Sequence, residues 1–163
     1  MSQSLSIPPP TSSAERRAVD TAAPRVPAVV RDLGLLLARV LLGVIMMAHG
    51  WQKLVTNGLD ATAGMFGSAG VPMPQVAAAL AAGIELGGGA LLVLGLLTPL
   101  AGLAVAAVLA GAFVFVHAGQ GLFASDGGWE LVAALGLASV VFALVGPGRL
   151  SLDALLRRRR ARA

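Results

Sequence analysis

Five ionisable side chains, Arg39, His49, Glu85, His117 and Glu130, fall within or at the ends of long apolar runs, and Lys53 stands just beyond the first of these. A charge at the centre of a bilayer costs about 2.5–3.5 kcal/mol on insertion scales, so such groups face the interior of a helix bundle and pair there. Glu85 is the most informative, because it lies near the middle of its apolar segment. At 100° per residue it shares a face with Ala78, Ala81, Ala82, Gly88 and Gly89, a surface nearly bare of side chains that another helix can approach closely. The same arithmetic aligns Arg39, Gly43, Met46, Gly50 and Lys53 on the first apolar segment, with His49 at the edge of the stripe. An Arg39–Glu85 ion pair between two helices is the expected arrangement. It would either fix helix register, with little net stability after desolvation, or line a polar pocket for a proton, an ion or a quinone headgroup.

His49, His117 and Glu130 could converge at one end of such a bundle. Two imidazoles and a carboxylate are a ligand set that metals accept, but no i, i+4 pair or other ligand spacing supports it. The expected role of the three is hydrogen bonding at the interface, with no metal. The chain has no cysteine and no tyrosine, which excludes thiolate ligation, thiol–disulfide exchange and tyrosyl chemistry by its own side chains. Met46, Met47, Met65 and Met73 read as packing residues. Gly87, Gly88 and Gly89 lack the strand and phosphate-loop context of a nucleotide motif. No catalytic residue is assigned, and the isolated chain is not expected to be an enzyme.

The elements that must position these groups are apolar segments at about 33–54, 75–97, 99–118 and 129–145, each near the length of a bilayer span. The stretch 74–117 is twice that length and must fold back; the break falls at Leu97, Thr98 and Pro99, with Thr98 as expected N-cap and Pro99 as first helical residue. Between the first two spans the chain reads equally as a short interfacial helix capped by Asp60, holding Met65 and Phe66 and ended by Gly67, Gly70 and Pro72, or as an irregular loop. Gly146, Pro147 and Gly148 end the fourth span. Beyond it Leu150, Leu152, Leu155 and Leu156 alternate with Ser151, Asp153 and arginines as a short amphipathic surface helix.

Composition agrees with a membrane protein: of 163 residues 56% are hydrophobic and 12% charged, with a mean hydropathy of +0.82, against roughly 25% charged residues in soluble domains. Residues 1–30 are rich in Ser, Pro and Ala, read as a disordered tail without the pattern of a secretory signal, so the N-terminus is expected to stay in the mature protein. Residues 31–149 form the membrane domain and 150–163 a basic tail. One lysine stands against eleven arginines, a usage resembling a high-GC bacterium. Arg16, Arg17, Arg25 and Arg31 flank the first span and six arginines follow the last, which predicts both termini cytoplasmic in a bacterial plasma membrane. Trp51 and Trp129 then sit at the outer ends of the first and fourth spans. The cluster of Arg157, Arg158, Arg159 and Arg160 is expected to meet anionic lipid rather than nucleic acid.

The residues Arg39-Val40-Leu41-Leu42-Gly43 and His49-Gly50-Trp51-Gln52-Lys53 resemble the first-helix signature of the DoxX family of bacterial membrane proteins. Glu85-Leu86-Gly87-Gly88-Gly89 with Leu94-Gly95-Leu96-Leu97-Thr98-Pro99 is similar to that family's second helix and tight turn, and Gly146-Pro147-Gly148-Arg149-Leu150-Ser151-Leu152-Asp153 to its C-terminal signature. The similarity covers about residues 33–153. It implies an all-α bundle of four transmembrane helices associated with redox and oxidative-stress systems. Related proteins are a subunit of thiosulfate:quinone oxidoreductase or are linked with a superoxide dismutase and a sulfurtransferase. The resemblance therefore implies a membrane subunit or anchor of a redox-linked complex; the polar residues leave two alternatives, a quinone-linked oxidoreductase subunit using the Arg39, Glu85 and His49 pocket and a small proton or solute carrier built on the same groups, and a homo-oligomer is compatible with each. Without cysteine, any sulfur chemistry would have to come from a partner.

Overall fold

The computed structural model describes residues 26–162, and among these every regular element is helical. Among the described residues, those from Asp32 onward form one compact unit. The expected tail lies outside the described residues up to position 25, as do Arg16, Arg17 and Arg25. Its last residues are helical: α1 starts at Ala28, directly after Pro27, and runs to Trp51. There follow α2 (Leu59–Ser68), α3 (Pro74–Leu94), α4 (Thr98–Ala112), α5 (Glu130–Val145) and α6 (Leu152–Arg160).

Two of the described helical stretches are long and apolar enough to cross a membrane, Pro74–Leu94 with 21 residues and Thr98–His117 with 20; α5 is apolar but shorter. Large apolar side chains face outward on several elements, among them Leu37, Leu41, Leu80, Leu103, Leu137 and Leu144. The buried set around Leu42, Met46, Leu92, Val105, Leu109 and Phe142 is small by comparison. A helix that shows leucine outward and keeps alanine, glycine and polar groups inward is packed for lipid.

Glycine sets the helix spacing. A Cβ at Gly43 would stand 2.6 Å from the Gly89 carbonyl oxygen, and one at Gly50 would stand 2.6 Å from the Leu86 amide nitrogen, so α1 and α3 touch backbone to backbone at two levels. Gly102 does the same for α4 against α5, where its Cβ would lie 2.7 Å from the Ser139 carbonyl oxygen. Ser139 is fully buried and turns its hydroxyl back to the Leu135 carbonyl at 2.8 Å, so it adds no unsatisfied polar atom to the contact.

Between α1 and α3 the chain does not merely follow an interface. The short helix α2 buries Ala63 and Phe66 against Ala78 and Ala81 of α3, while Met65 stays exposed. Its N-cap is Gly58, at φ +81, rather than Asp60, which lies in the first turn. Only glycine adopts that backbone without strain, and from the first turn the Asp60 carboxylate still favours the positive end of the helix dipole. Thr62 ties α2 down, donating within 3.2 Å of the Lys53 and Gly58 carbonyls.

The α3–α4 turn departs from expectation in how it is capped. Gly95, at φ +66, closes α3 with its N–H on the Leu91 and Leu92 carbonyls, a left-handed glycine stop. Leu97 takes the N-cap position of α4 in a left-handed conformation, φ +49, and Thr98 is already helical with its hydroxyl buried and unbonded. The cap is supplied from elsewhere: Asp153 accepts hydrogen bonds from the Leu97 and Thr98 amides at 2.9 and 3.1 Å. Its own N–H donates to the Gly95 carbonyl at 3.0 Å. Thr98 cannot cap because it is already the first helical residue, with its side chain buried, whereas the Asp153 carboxylate reaches the Leu97 and Thr98 amides with one oxygen each. Asp153→Ala is expected to cost about 0.5–2 kcal/mol, the usual loss for an N-cap carboxylate. Thermal unfolding in detergent, with Asp153→Asn recovering part of the loss, checks this.

Candidate functional site

Sequence order brings α1 and α3 together antiparallel, and the glycine contacts fix their register. Gly50 opposes Ala82 and Leu86, and Gly43 opposes Gly89 and Val93. Glu85 therefore stands level with the C-terminal end of α1, and Arg39 lies fourteen residues before Lys53, about 21 Å away along a helix. The Arg39–Glu85 pair is not formed. Glu85, 3% exposed, accepts a hydrogen bond from Lys53 Nζ at 2.7 Å instead. Counting turns on isolated helices could not supply the register; the glycine contacts do.

Arg39 is spent at the other end of the bundle. Its side chain, 1% exposed, lies against the Cα face of Gly95, the one place where an added Cβ would collide with the guanidinium, and Nη2 donates to the Leu150 carbonyl at 3.0 Å. Nearby Arg149 reaches Asp32 at 4.0 Å and Gly148 packs on Leu35. The Gly146 to Asp153 segment is thus a clasp: it runs across α1, takes Arg39 on a backbone carbonyl and caps α4 with Asp153.

Around Lys53 and Glu85 the bundle opens into a cavity of about 150 Å³. Met46 and His49 of α1 line it, with Leu109 and Ala112 of α4, Leu131, Val132 and Leu135 of α5, and His117 above them. Lys53 and His117 share an unusual backbone setting. Each sits on a single π-helical turn, Gln52–Thr56 and Phe113–His117, that ends α1 or α4 with an i to i+5 bond, Asn57 N–H to Gln52 and Ala118 N–H to Phe113, both at 2.8 Å. Such a turn inserts a residue into the helix and re-aims the side chains that follow, and it is frequent at functional sites.

His117 is held by geometry. Its Nδ1 lies 2.6 Å from the Gly127 carbonyl oxygen. A carbonyl only accepts, so Nδ1 is the donor in this contact. Glu130 does not line the cavity; it accepts a hydrogen bond from the Ala124 amide at 2.9 Å and so braces the adjoining loop, from which Ala124 and Gly128 contribute to the lining. Trp129 stacks edge-on against Phe113 at 5.9 Å on the same rim.

The structure therefore brings together His49, Lys53, Glu85 and His117, assigns Glu130 to the loop and Arg39 to the clasp, and leaves Arg157, Arg158, Arg159 and Arg160 exposed on α6. Among the described residues no cluster of three or more His, Asp or Glu side chains is placed to hold a metal. The apolar wall and the two π-helical turns were missed by sequence reasoning. The turns leave no compositional signal, and the wall residues are indistinguishable in sequence from lipid-facing leucine and valine.

What the cavity offers is an ammonium group already satisfied on one side by a carboxylate, two imidazoles and an apolar wall. The polar groups converge at one end of a chamber that an uncharged ring could fill.

Comparison with known proteins places this arrangement. The model of the DoxX family matches residues 34–118, a stretch that holds His49, Lys53, Glu85 and His117 together. The chain belongs to the DoxX family. Within it, the chain is 37% identical over 122 residues to "Putative oxidoreductase CatD" of Bacillus subtilis (strain 168), covering 75% of this chain and 86% of CatD. It is 34% identical over 129 residues to "Inner membrane protein YphA" of Escherichia coli (strain K12), covering 76% and 90%. No solved structure matches the chain significantly. As a DoxX-family member it is a membrane protein, and the matched stretch ends at the second π-helical turn, before α5 and the clasp.

Proposed function

We propose that this DoxX-family protein is the membrane subunit of a redox-linked complex and that its cavity receives the headgroup of a lipid quinone. The cavity carries the proposal. A chamber of about 150 Å³ is the size that accepts a single six-membered ring such as benzene. Lys53 Nζ and the His49 ring stand where a carbonyl oxygen would need donors, and the wall of Met46, Leu109, Leu131 and Val132 suits the ring itself. A bound quinone supplies two-electron redox chemistry that no side chain of this cysteine-free, tyrosine-free chain can supply. The name of CatD, an oxidoreductase by title, agrees with that reading, and the name of YphA with an inner-membrane location. The residues of this chain bind and orient; the electrons and any sulfur chemistry come from a partner. A proton or solute carrier built on the same polar groups is the competing reading.

The proposed setting is a four-span bundle in which α1 and α5 join α3 and α4. In support, α1 has 24 residues and shows Leu37, Leu41 and Val44 outward. Both termini are assigned to the cytoplasm, since Arg149, Arg157, Arg158, Arg159 and Arg160 gather at the clasp end while the opposite end has Lys53 as its basic residue. The cavity then opens at the outer face. Reporter fusions after Gly121 should read outside and C-terminal fusions inside, and a cytoplasmic signal after Gly121 would sink this topology. Purification in mild detergent should yield quinone together with co-purifying redox proteins, and the Lys53→Met/Glu85→Gln double variant, in which no buried charge is left unpaired, should lose the quinone while keeping the proteins. Equal quinone in wild type and variant, or a pH gradient dissipated by the protein alone in liposomes, would reject the quinone site.

A further inference from the structure

We infer that α6 is a binding element for anionic phospholipid, held at the membrane surface by the clasp. Sequence alone leaves the arginine run free to be a solvated tail. The structure removes that freedom, because Asp153 in the first turn of α6 caps the N-terminus of α4 through Leu97 and Thr98, the residues that join two stretches long enough to span. Whatever depth the α3–α4 turn occupies, α6 begins there. Arg39 on the Leu150 carbonyl and the Ser151 hydroxyl on the Ala154 amide fix its start from the other side.

The face that α6 presents suits one kind of partner. At 100° per residue Leu152, Leu155 and Leu156 fall within a single arc of 100°, and all three are 40–45% exposed; Ala154, on the other side of the helix, is buried. Arg158 and Arg160 border that arc on its two sides, and Arg159 falls within it one turn beyond Leu155 and Leu156, at the C-terminal end of the helix; all three are exposed. A leucine face over the first turns, bordered by arginines and followed on the same face by Arg159 in the last turn, matches a short amphipathic helix that seats its leucines at the acyl boundary while the long arginine side chains snorkel to the phosphates. Guanidinium binds phosphate in a two-pronged hydrogen-bonded geometry that ammonium lacks. Nucleic acid or an acidic protein would use the arginines but leave the leucines in water. The partner is therefore a bilayer surface carrying anionic phospholipid. Lipid bound there adds contacts to the helix whose first turn closes the clasp, so it should also stabilise the bundle.

This inference rests on α3 and α4 spanning the membrane, and the experiment separates the two. The full chain is reconstituted in nanodiscs of neutral phosphatidylcholine alone and of phosphatidylcholine with phosphatidylglycerol, then read by thermal unfolding and by mass spectrometry of the lipids retained after gentle release. Each arginine near an anionic surface is worth roughly five-fold in affinity. Wild type should retain phosphatidylglycerol preferentially and melt higher in the anionic discs. Substituting Arg157, Arg158, Arg159 and Arg160 with Gln should abolish both effects, with the neutral-disc melting temperature unchanged. Lysine at all four positions should restore most of the preference, and Leu155→Ser with Leu156→Ser should weaken it. Equal retention of both lipids by wild type, or a preference that survives the glutamine substitutions, overturns the inference. Loss of a co-purifying soluble protein in the glutamine variant without any change in lipid does the same and points to protein docking. A chain extracted from membranes without detergent would instead defeat the spanning reading itself.

Discussion

Replacing Lys53 with Met should be among the most damaging single changes in this protein. Glu85 is 3% exposed and its partner is Lys53 at 2.7 Å, so removing the ammonium strands a carboxylate inside an apolar bundle. Breaking a buried pair from one side typically costs about 3–5 kcal/mol; the lower end applies here because Lys53 keeps some solvent contact. Glu85→Gln should also destabilise, since it leaves a cation facing the apolar wall of Met46, Leu109 and Val132. The double substitution should recover much of the loss, because the penalty in each single variant is the uncompensated partner rather than the missing attraction. Denaturant unfolding in detergent of the four proteins closes the cycle. Additive losses would mean that the two side chains do not meet. Arg39→Gln combined with Glu85→Gln serves as control: Arg39 lies at the level of Gly95 and Glu85 at the level of Gly50, several turns apart along the α1–α3 contact, so their effects should add.

The second large effect is expected from Gly50→Ala. Its added methyl would lie 2.6 Å from the Leu86 nitrogen and 2.8 Å from the Ala82 carbonyl oxygen. Both are backbone atoms of a helix and cannot rotate away, so α1 must move off α3. Overpacking of this kind costs about 1–3 kcal/mol. The same displacement pulls Lys53, one turn beyond Gly50, from Glu85, one turn beyond Ala82, so Gly50→Ala should reproduce part of the Lys53→Met defect. Gly83→Ala and Gly87→Ala on the same helix α3 are the contrast. A Cβ at either meets nothing within 4 Å, and alanine raises helix propensity by up to about 1 kcal/mol, so these should be neutral or stabilising. If all three glycines behave alike, close backbone contact is not what holds α1 on α3.

Much of this was legible in residue type and period. The faces were readable because burial in a helix follows a 100° rule that needs no partner. Ala78, Ala81, Ala82, Glu85, Gly88 and Gly89 are the buried positions of α3, joined by Leu92, and Arg39, Gly43, Met46 and Gly50 are buried on α1. The break between α3 and α4 was readable because Gly95 and Pro99 leave the chain few conformations there. The cavity-lining candidates His49, Lys53, Glu85 and His117 stood out because polar groups in apolar segments are costly enough to demand a reason.

Which of those groups meet was not legible. The sequence by itself determined the helices, their inward faces and the short set of polar side chains that must be accommodated, since these depend on local propensity and on solvation residue by residue. Tertiary structure decided the register at which Gly43 and Gly50 seat on α3, and that choice hands Glu85 to Lys53 and sends Arg39 to Leu150. It also decided that Asp153, some 55 residues along the chain, rather than Thr98 caps α4. Both depend on where backbone meets backbone across a contact, and a period along one helix carries no information about the height at which its neighbour stands.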